Sequence, residues 1–235
     1  MKNKILSLVL ALCLIVPCAL MFTACGKDDD TIYAGTKLTL QEAVDKAEGG
    51  DLVKLDSNIT LTAQVNINKK VTIDLAGYTI NNAEDIWDTT NKEWSLISVK
   101  ENGDLTIKNG TIQAKENDCY AIDIRDGGKC VIESGKYIGN VHSVYVREGN
   151  LSITGGEFDI QQLSDVTGDS RYTLNCYDAS YNNGSATITV TGGKFANYNP
   201  NGSTSEYPTA DFLADGYTVD TYEDNGDTWY VVVSE

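Results

Sequence analysis

The side chains in this sequence best suited to recognition chemistry are aromatic. Trp87, Trp94, Tyr172, Tyr198 and Tyr207 fall in or beside four stretches of uneven length, 81–94, 113–119, 159–171 and 196–211. Flat aromatic faces suit sugar rings, although each ring could equally pack its own loop down, since aromatics bury much apolar area. A second pattern is charged: Lys100, Arg125 and Arg147 are each followed by an acid, Glu101, Asp126 and Glu148, and Asp178 takes the next acidic place. Those three cations could form a strip for uronic or other acidic sugars. As exposed opposite charges they could also be a self-neutralising surface ladder, worth little energy.

Support for catalysis is thin. Glycoside cleavage needs two carboxylates about 5–10 Å apart, and with 34 Asp and Glu in the chain no pair stands out. The single histidine, His142, has no serine, cysteine or metal-ligand partner implied by spacing and reads as structural. No Walker loop, dinucleotide fingerprint or calcium nonapeptide occurs, so neither cofactor nor metal is expected.

The elements that must position these residues repeat. Gly77, Gly110, Gly135, Gly156 and Gly193 each precede or join a short apolar strand, at steps of 33, 25, 21 and 37 residues. Three and five places before the last four stand paired apolar residues: Leu105/Ile107, Cys130/Ile132, Leu151/Ile153 and Ile188/Val190. Further upstream comes another alternating pair each time, Ile97/Val99, Ile122/Ile124, Val144/Val146 and Leu174/Cys176. Alternation puts these columns on one face. A strand triplet cannot bury that face alone, so successive units must stack. A β-sandwich built on turns such as Asn102-Gly103 is the alternative; like-with-like columns favour stacking.

Both ends of such a stack need closing. Thr39 to Ala47 reads as a helix, with Thr39 and Glu42 forming a capping box and Gly49-Gly50 a stop. At the other end Asn225-Gly226 predicts a hairpin between Tyr217-Thr218-Val219 and the strand from Trp229 to Val233. The pattern over residues 50–200 resembles the right-handed parallel β-helix of the pectate-lyase-like superfamily. That resemblance implies an all-β solenoid with an N-terminal capping helix and a C-terminal capping β-hairpin. The superfamily's pectin-degrading members carry Asn-Thr-Asp, Asp-Asp, Gly-His-Gly, Arg-Ile-Lys or Arg-x-Pro-x-x-Arg motifs, and none occurs in the expected fold, residues 37–235. Cys130 and Cys176 fall in core columns and read as inert thiols. A Cys119–Cys130 bridge is a sharper alternative that would have to span a corner.

The N-terminus has signal-peptide grammar: Lys2 and Lys4, then an apolar stretch from Ile5 to Phe22. Phe22-Thr23-Ala24-Cys25 resembles the bacterial lipobox, with Phe22 where the family usually has Leu. The resemblance implies cleavage of residues 1–24 and a lipid on Cys25; an ordinary secretory signal or an uncleaved anchor are the alternatives. Residues 25–36 then form a polar tether and 37–235 a single domain. Removing Lys2 and Lys4 takes the formal charge from −16 to −18, which argues against nucleic acid as a partner.

Together these features predict a lipid-anchored protein facing outward from the cell membrane. Its expected role is binding or display of a polysaccharide or cell-surface glycan through Trp87, Trp94, Tyr172, Tyr198, Arg125 and Arg147. A polysaccharide lyase or glycoside hydrolase is the second expectation, and a purely structural spacer the third.

Overall fold

The computed structural model describes residues 31–162, 172–202 and 210–235; Cys25 and Tyr207 lie outside them. The chain starts with β1 (Ile32–Ala34), helix α1 (Leu40–Lys46) and β2 (Leu52–Leu55). It then runs in triplets. The first three are β3 (Ile59–Leu61), β4 (Val65–Ile67) and β5 (Lys70–Asp74); β6 (Thr79–Asn82), β7 (Ser95–Val99) and β8 (Asp104–Lys108); and β9 (Thr111–Gln113), β10 (Tyr120–Ile124) and β11 (Gly128–Ile132). Next come β12 (Lys136–Gly139), β13 (Val144–Val146) and β14 (Gly149–Ile153), then β15 (Glu157–Ile160), β16 (Leu174–Cys176), a short helix α2 (Asp178–Asn183) and β17 (Ala186–Val190). Strand β18 (Lys194–Ala196) and the pair β19 (Tyr217–Asp224) and β20 (Asp227–Ser234) complete it.

From β2 to β18 each strand pairs in parallel with the strand three places on, giving three sheets: β1-β2-β5-β8-β11-β14-β17, β16-β13-β10-β7-β4, and β19-β20-β18-β15-β12-β9-β6-β3. The fold is sheet-rich, with few helices. The apolar columns are in register: Leu105, Cys130, Leu151 and Ile188 align on adjacent strands, as do Val99, Ile124, Val146 and Cys176. All eight are buried. A sandwich of hairpins is thereby ruled out, since Asn102-Gly103 carries the chain between different sheets and not back along one. The aromatic residues of the third sheet stack likewise. Tyr137 and Phe158 lie 5.3 Å apart at 15°, and Phe158 and Phe195 lie 4.9 Å apart at 12°.

Local signals act where expected. The Thr39 side chain accepts from the Glu42 N–H while Glu42 accepts from the Thr39 N–H, and α1 buries Leu40, Ala43 and Val44. Hairpin β19–β20 turns on Asn225 (φ 53°) and Gly226 (φ 95°), the left-handed pair that such turns require, and β20 pairs antiparallel with β18. Gly149 (φ +130°) is obligatory for a second reason: a Cβ there would come 2.2 Å from the Gly128 oxygen on the neighbouring strand. Cys119 and Cys130 are free and buried, so no bridge joins them, and Cys176 is buried as well. One element differs from expectation. Asp178 does not extend the acidic row but opens α2, whose chain stops at Gly184 in the left-handed conformation.

Candidate functional site

The loop between β6 and β7 carries Trp87 and Trp94, and a single carboxylate sets its shape. Asp118, buried, accepts from the backbone N–H of Trp87 (2.9 Å) and Ile86 (3.1 Å) and from Asn82 Nδ2 (2.6 Å). A second contact, between Lys115 and Asp85, ties the loop to the same stretch. Asp88 caps the loop's own turn by accepting from the Thr90 and Asn91 N–H groups, which hold its carboxyl below the usual range. Aspartates excel at organising loop backbone in this way.

Pinned so, Trp87 is 39% exposed. It meets Tyr120 edge-on at 5.4 Å and Trp94 at 6.5 Å. Its indole lines a cavity of about 430 Å³ together with Thr62, Asp85, Asp88 and Glu93, among others. It also lines one of about 340 Å³ with Asp85, Asn117, Asp118 and Asn140. Both fall in the size range of small-ligand sites, roughly 300–1,000 Å³. Their polar lining is carboxylates, amides and two threonine hydroxyls, which suits a hydroxyl-rich ligand.

Aromatic rings continue across the middle sheet's outer edge. His142 lies 4.8 Å from Tyr120, 5.9 Å from Tyr145 and 6.0 Å from Tyr172, nearly parallel to the last. Its Nδ1 donates to the Tyr172 oxygen at 2.9 Å, and Nε2 lies 3.0 Å from Asn175 Nδ2. Burial pushes His142 down to about 4, against backbone hydrogen bonds to Tyr172 and Val141, which favour the charged form. It is a neutral packing element, as the sequence suggests.

The expected cationic strip takes another form. Lys100, Arg125 and Arg147 do occupy successive register positions, after Val99, Ile124 and Val146. Arg125, however, is only 3% exposed. Both guanidinium carbons lie 5.4 Å from the Trp94 ring centre, and Arg147 also lies 5.5 Å from Tyr177. Trp94 therefore bridges two cations of the row. Beneath it Arg125 approaches Asp123, 3.5 Å between Nε and Oδ2, and donates to Gln64 Oε1 at 3.3 Å. Burial raises the Asp123 carboxyl; the Arg125 charge and nearby Ser98 and Ser95 oppose it. Burial, and then the Arg125 charge, lower Lys100. Arg125 is thus part of a covered cluster and not of an open surface ladder, because Gln64 and Trp94 close over it.

No family model, curated protein or solved structure matches the chain. Five of the six aromatic and basic candidates, Trp87, Trp94, Tyr172, Arg125 and Arg147, share this edge. Tyr198 does not join them: it is 6% exposed and packs 6.3 Å from Phe195, so it holds its own loop. Sequence reasoning overlooked Asp118 and Gln64; the one signal was Asp118 in a stretch of variable length. Cys119, beside Asp118, is held as a thiol by burial and by that carboxylate. Among the described residues no group of three or more His, Cys, Asp or Glu could hold a metal ion, and no helix is long and apolar enough to cross a membrane.

Proposed function

We propose that the chain is a lipid-anchored surface protein that binds glycan through the Trp87 edge. Return to the same sheet at every third strand is what a coil requires, and parallel crossovers are right-handed in almost all proteins. We read the three sheets, β1 included, as the faces of a right-handed parallel β-helix within 31–235, with α1 and the β19–β20 hairpin closing its ends. Such a scaffold is rigid, and loops set on it are where binding concentrates. The lipid on Cys25 would hold this edge outside the cell membrane.

One observation carries the binding reading: Trp87 is exposed and lines two cavities, yet its backbone is fixed by Asp118. An indole that merely filled its loop would not need that support. Cleavage is the second reading, because hydrolysis calls for two carboxylates about 5–10 Å apart and Asp85, Asp88 and Glu93 all line the cavity beside Trp87. A glycan array probed with wild type and Trp87→Ala, and assayed for released reducing or unsaturated ends, tests both. Binding by wild type alone, without release, is expected. Equal binding by the variant would reject the site, and release of ends would make the protein an enzyme.

A further inference from the structure

The outer face of the middle sheet has a polar row that the fold takes out of water. Register aligns Asn66, Ser98, Asp123, Tyr145 and Asn175 on successive strands, and Ser98, Asp123 and Asn175 are fully buried. Buried polar atoms ordinarily find hydrogen-bond partners, and each that does not calls for a reason. Four atoms at one end of this row have none: Asn66 Oδ1, Ser98 Oγ, Asp123 Oδ2 and, folded over them, Arg125 Nε. Ser98 is near enough to favour the charged Asp123 but is not in hydrogen-bonding geometry with it. Asp123 Oδ2 and Arg125 Nε face each other at 3.5 Å as an ion pair, also without a hydrogen bond.

The unused capacity is mixed: a charged acceptor, a charged donor, a hydroxyl and an amide oxygen. Arg125 disfavours a metal ion there, and Asp123 disfavours an anion. Hydroxyl groups, which donate and accept at once, satisfy both. We infer that this row is a closed subsite for the vicinal hydroxyls of a neutral sugar, with Trp94 as the side chain that moves to admit it. The inference rests on the glycan reading above and extends it inward from Trp87. One hydroxyl oxygen, about 2.8 Å from both charged atoms, would donate to Asp123 Oδ2 and accept from Arg125 Nε. Its neighbour would reach Ser98 Oγ or Asn66 Oδ1, one and two strands away. Trp94 is the movable part because it is attached to the loop and held to Arg125 and Arg147 through ring faces.

Tryptophan emission of the full chain in detergent reports on the subsite. The probes are D-glucose, D-galactose, D-mannose and cis-1,2-cyclohexanediol, with cyclohexanol as the single-hydroxyl control. A saturable change with at least one sugar or the diol, and none with cyclohexanol, is expected. Asp123→Asn and Ser98→Ala should each weaken it at least about tenfold, while Trp87→Ala retains a response. Ser98→Ala decides the matter if Asp123→Asn fails to fold. No response up to about 100 mM of any probe, or affinity unchanged in Ser98→Ala, overturns the inference and leaves an ordered water as the occupant. Loss of array binding in Trp87→Ala with the emission response intact is the expected pair of results, because Trp87 carries the surface platform while Asp123, Ser98 and Arg125 carry the subsite beneath it. A response in wild type without any array binding would reject the surface reading and keep the subsite.

Discussion

Replacing Phe158 with Ala removes the middle ring of the aromatic stack. Phe158 is 0% exposed and lies 5.3 Å from Tyr137 and 4.9 Å from Phe195. The cavity cannot close by backbone movement. The ring lies against Gly156 and Gly193, where an added Cβ would sit 3.2 Å and 3.4 Å from it, and both flanking strands are fixed by parallel pairing. A buried aromatic ring removes roughly 150–250 Å² from water, which at about 25 cal/mol per Å² is about 4–6 kcal/mol of transfer for the whole side chain. The Cβ that remains keeps part of it, and the unfilled cavity adds a cost. A loss of about 3–5 kcal/mol follows, or roughly 10 °C in Tm for a chain of this size. Urea unfolding followed by far-ultraviolet circular dichroism measures it. A loss below about 1 kcal/mol with an unchanged slope would refute the stacked register.

Three further outcomes can be checked. His142 is pushed down to about 4 in the folded chain from about 6.5 unfolded, so stability is complete above pH 6.5 and is lost as pH falls towards 4. That term is about 3 kcal/mol, and unfolding at both pH values should show a drop smaller by this amount in His142→Gln; equal drops would contradict it. Asp118→Ala leaves the Asn82 amide, the Ile86 and Trp87 N–H groups and the Cys119 thiol without this acceptor, at a cost of about 2 kcal/mol, and should speed hydrogen exchange at the Ile86 and Trp87 amides; unchanged exchange would show that the loop holds its shape without the carboxylate. Cys25→Ala should leave the precursor unprocessed and unlipidated, seen by mass; normal maturation would reject the lipid anchor.

The columns were legible because a one-residue slip would turn each apolar pair outward: Leu105, Cys130, Leu151 and Ile188 allow one register, and the structure adopts it. Capping and turn chemistry at Thr39 and at Asn225-Gly226 are local, and they too could be read directly. What stayed hidden depends on contacts between distant residues. Ser98 and Asp123 sit at outward positions, where polar residues ordinarily meet water. Their burial is set by Gln64, 31 positions from its partner Ser95, and by a loop whose shape Asp118 fixes from 31 and 32 positions away. Tyr198 and Arg125 were misplaced for the same reason. Their residue types suggested exposure, and only packing decided it.

Binding at Trp87 is tested most directly by calorimetry on residues 31–235, a compact unit of its own. Wild type, Trp87→Phe and Trp87→Ala are titrated with the strongest glycan from the array, alongside their melting temperatures. Retained binding in Trp87→Phe, a loss of at least about tenfold, about 1.4 kcal/mol, in Trp87→Ala, and a Tm unchanged within about 2 °C are expected. A Trp87→Ala chain that binds as wild type does, or one that loses binding only because it melts many degrees lower, would contradict a glycan platform at this edge.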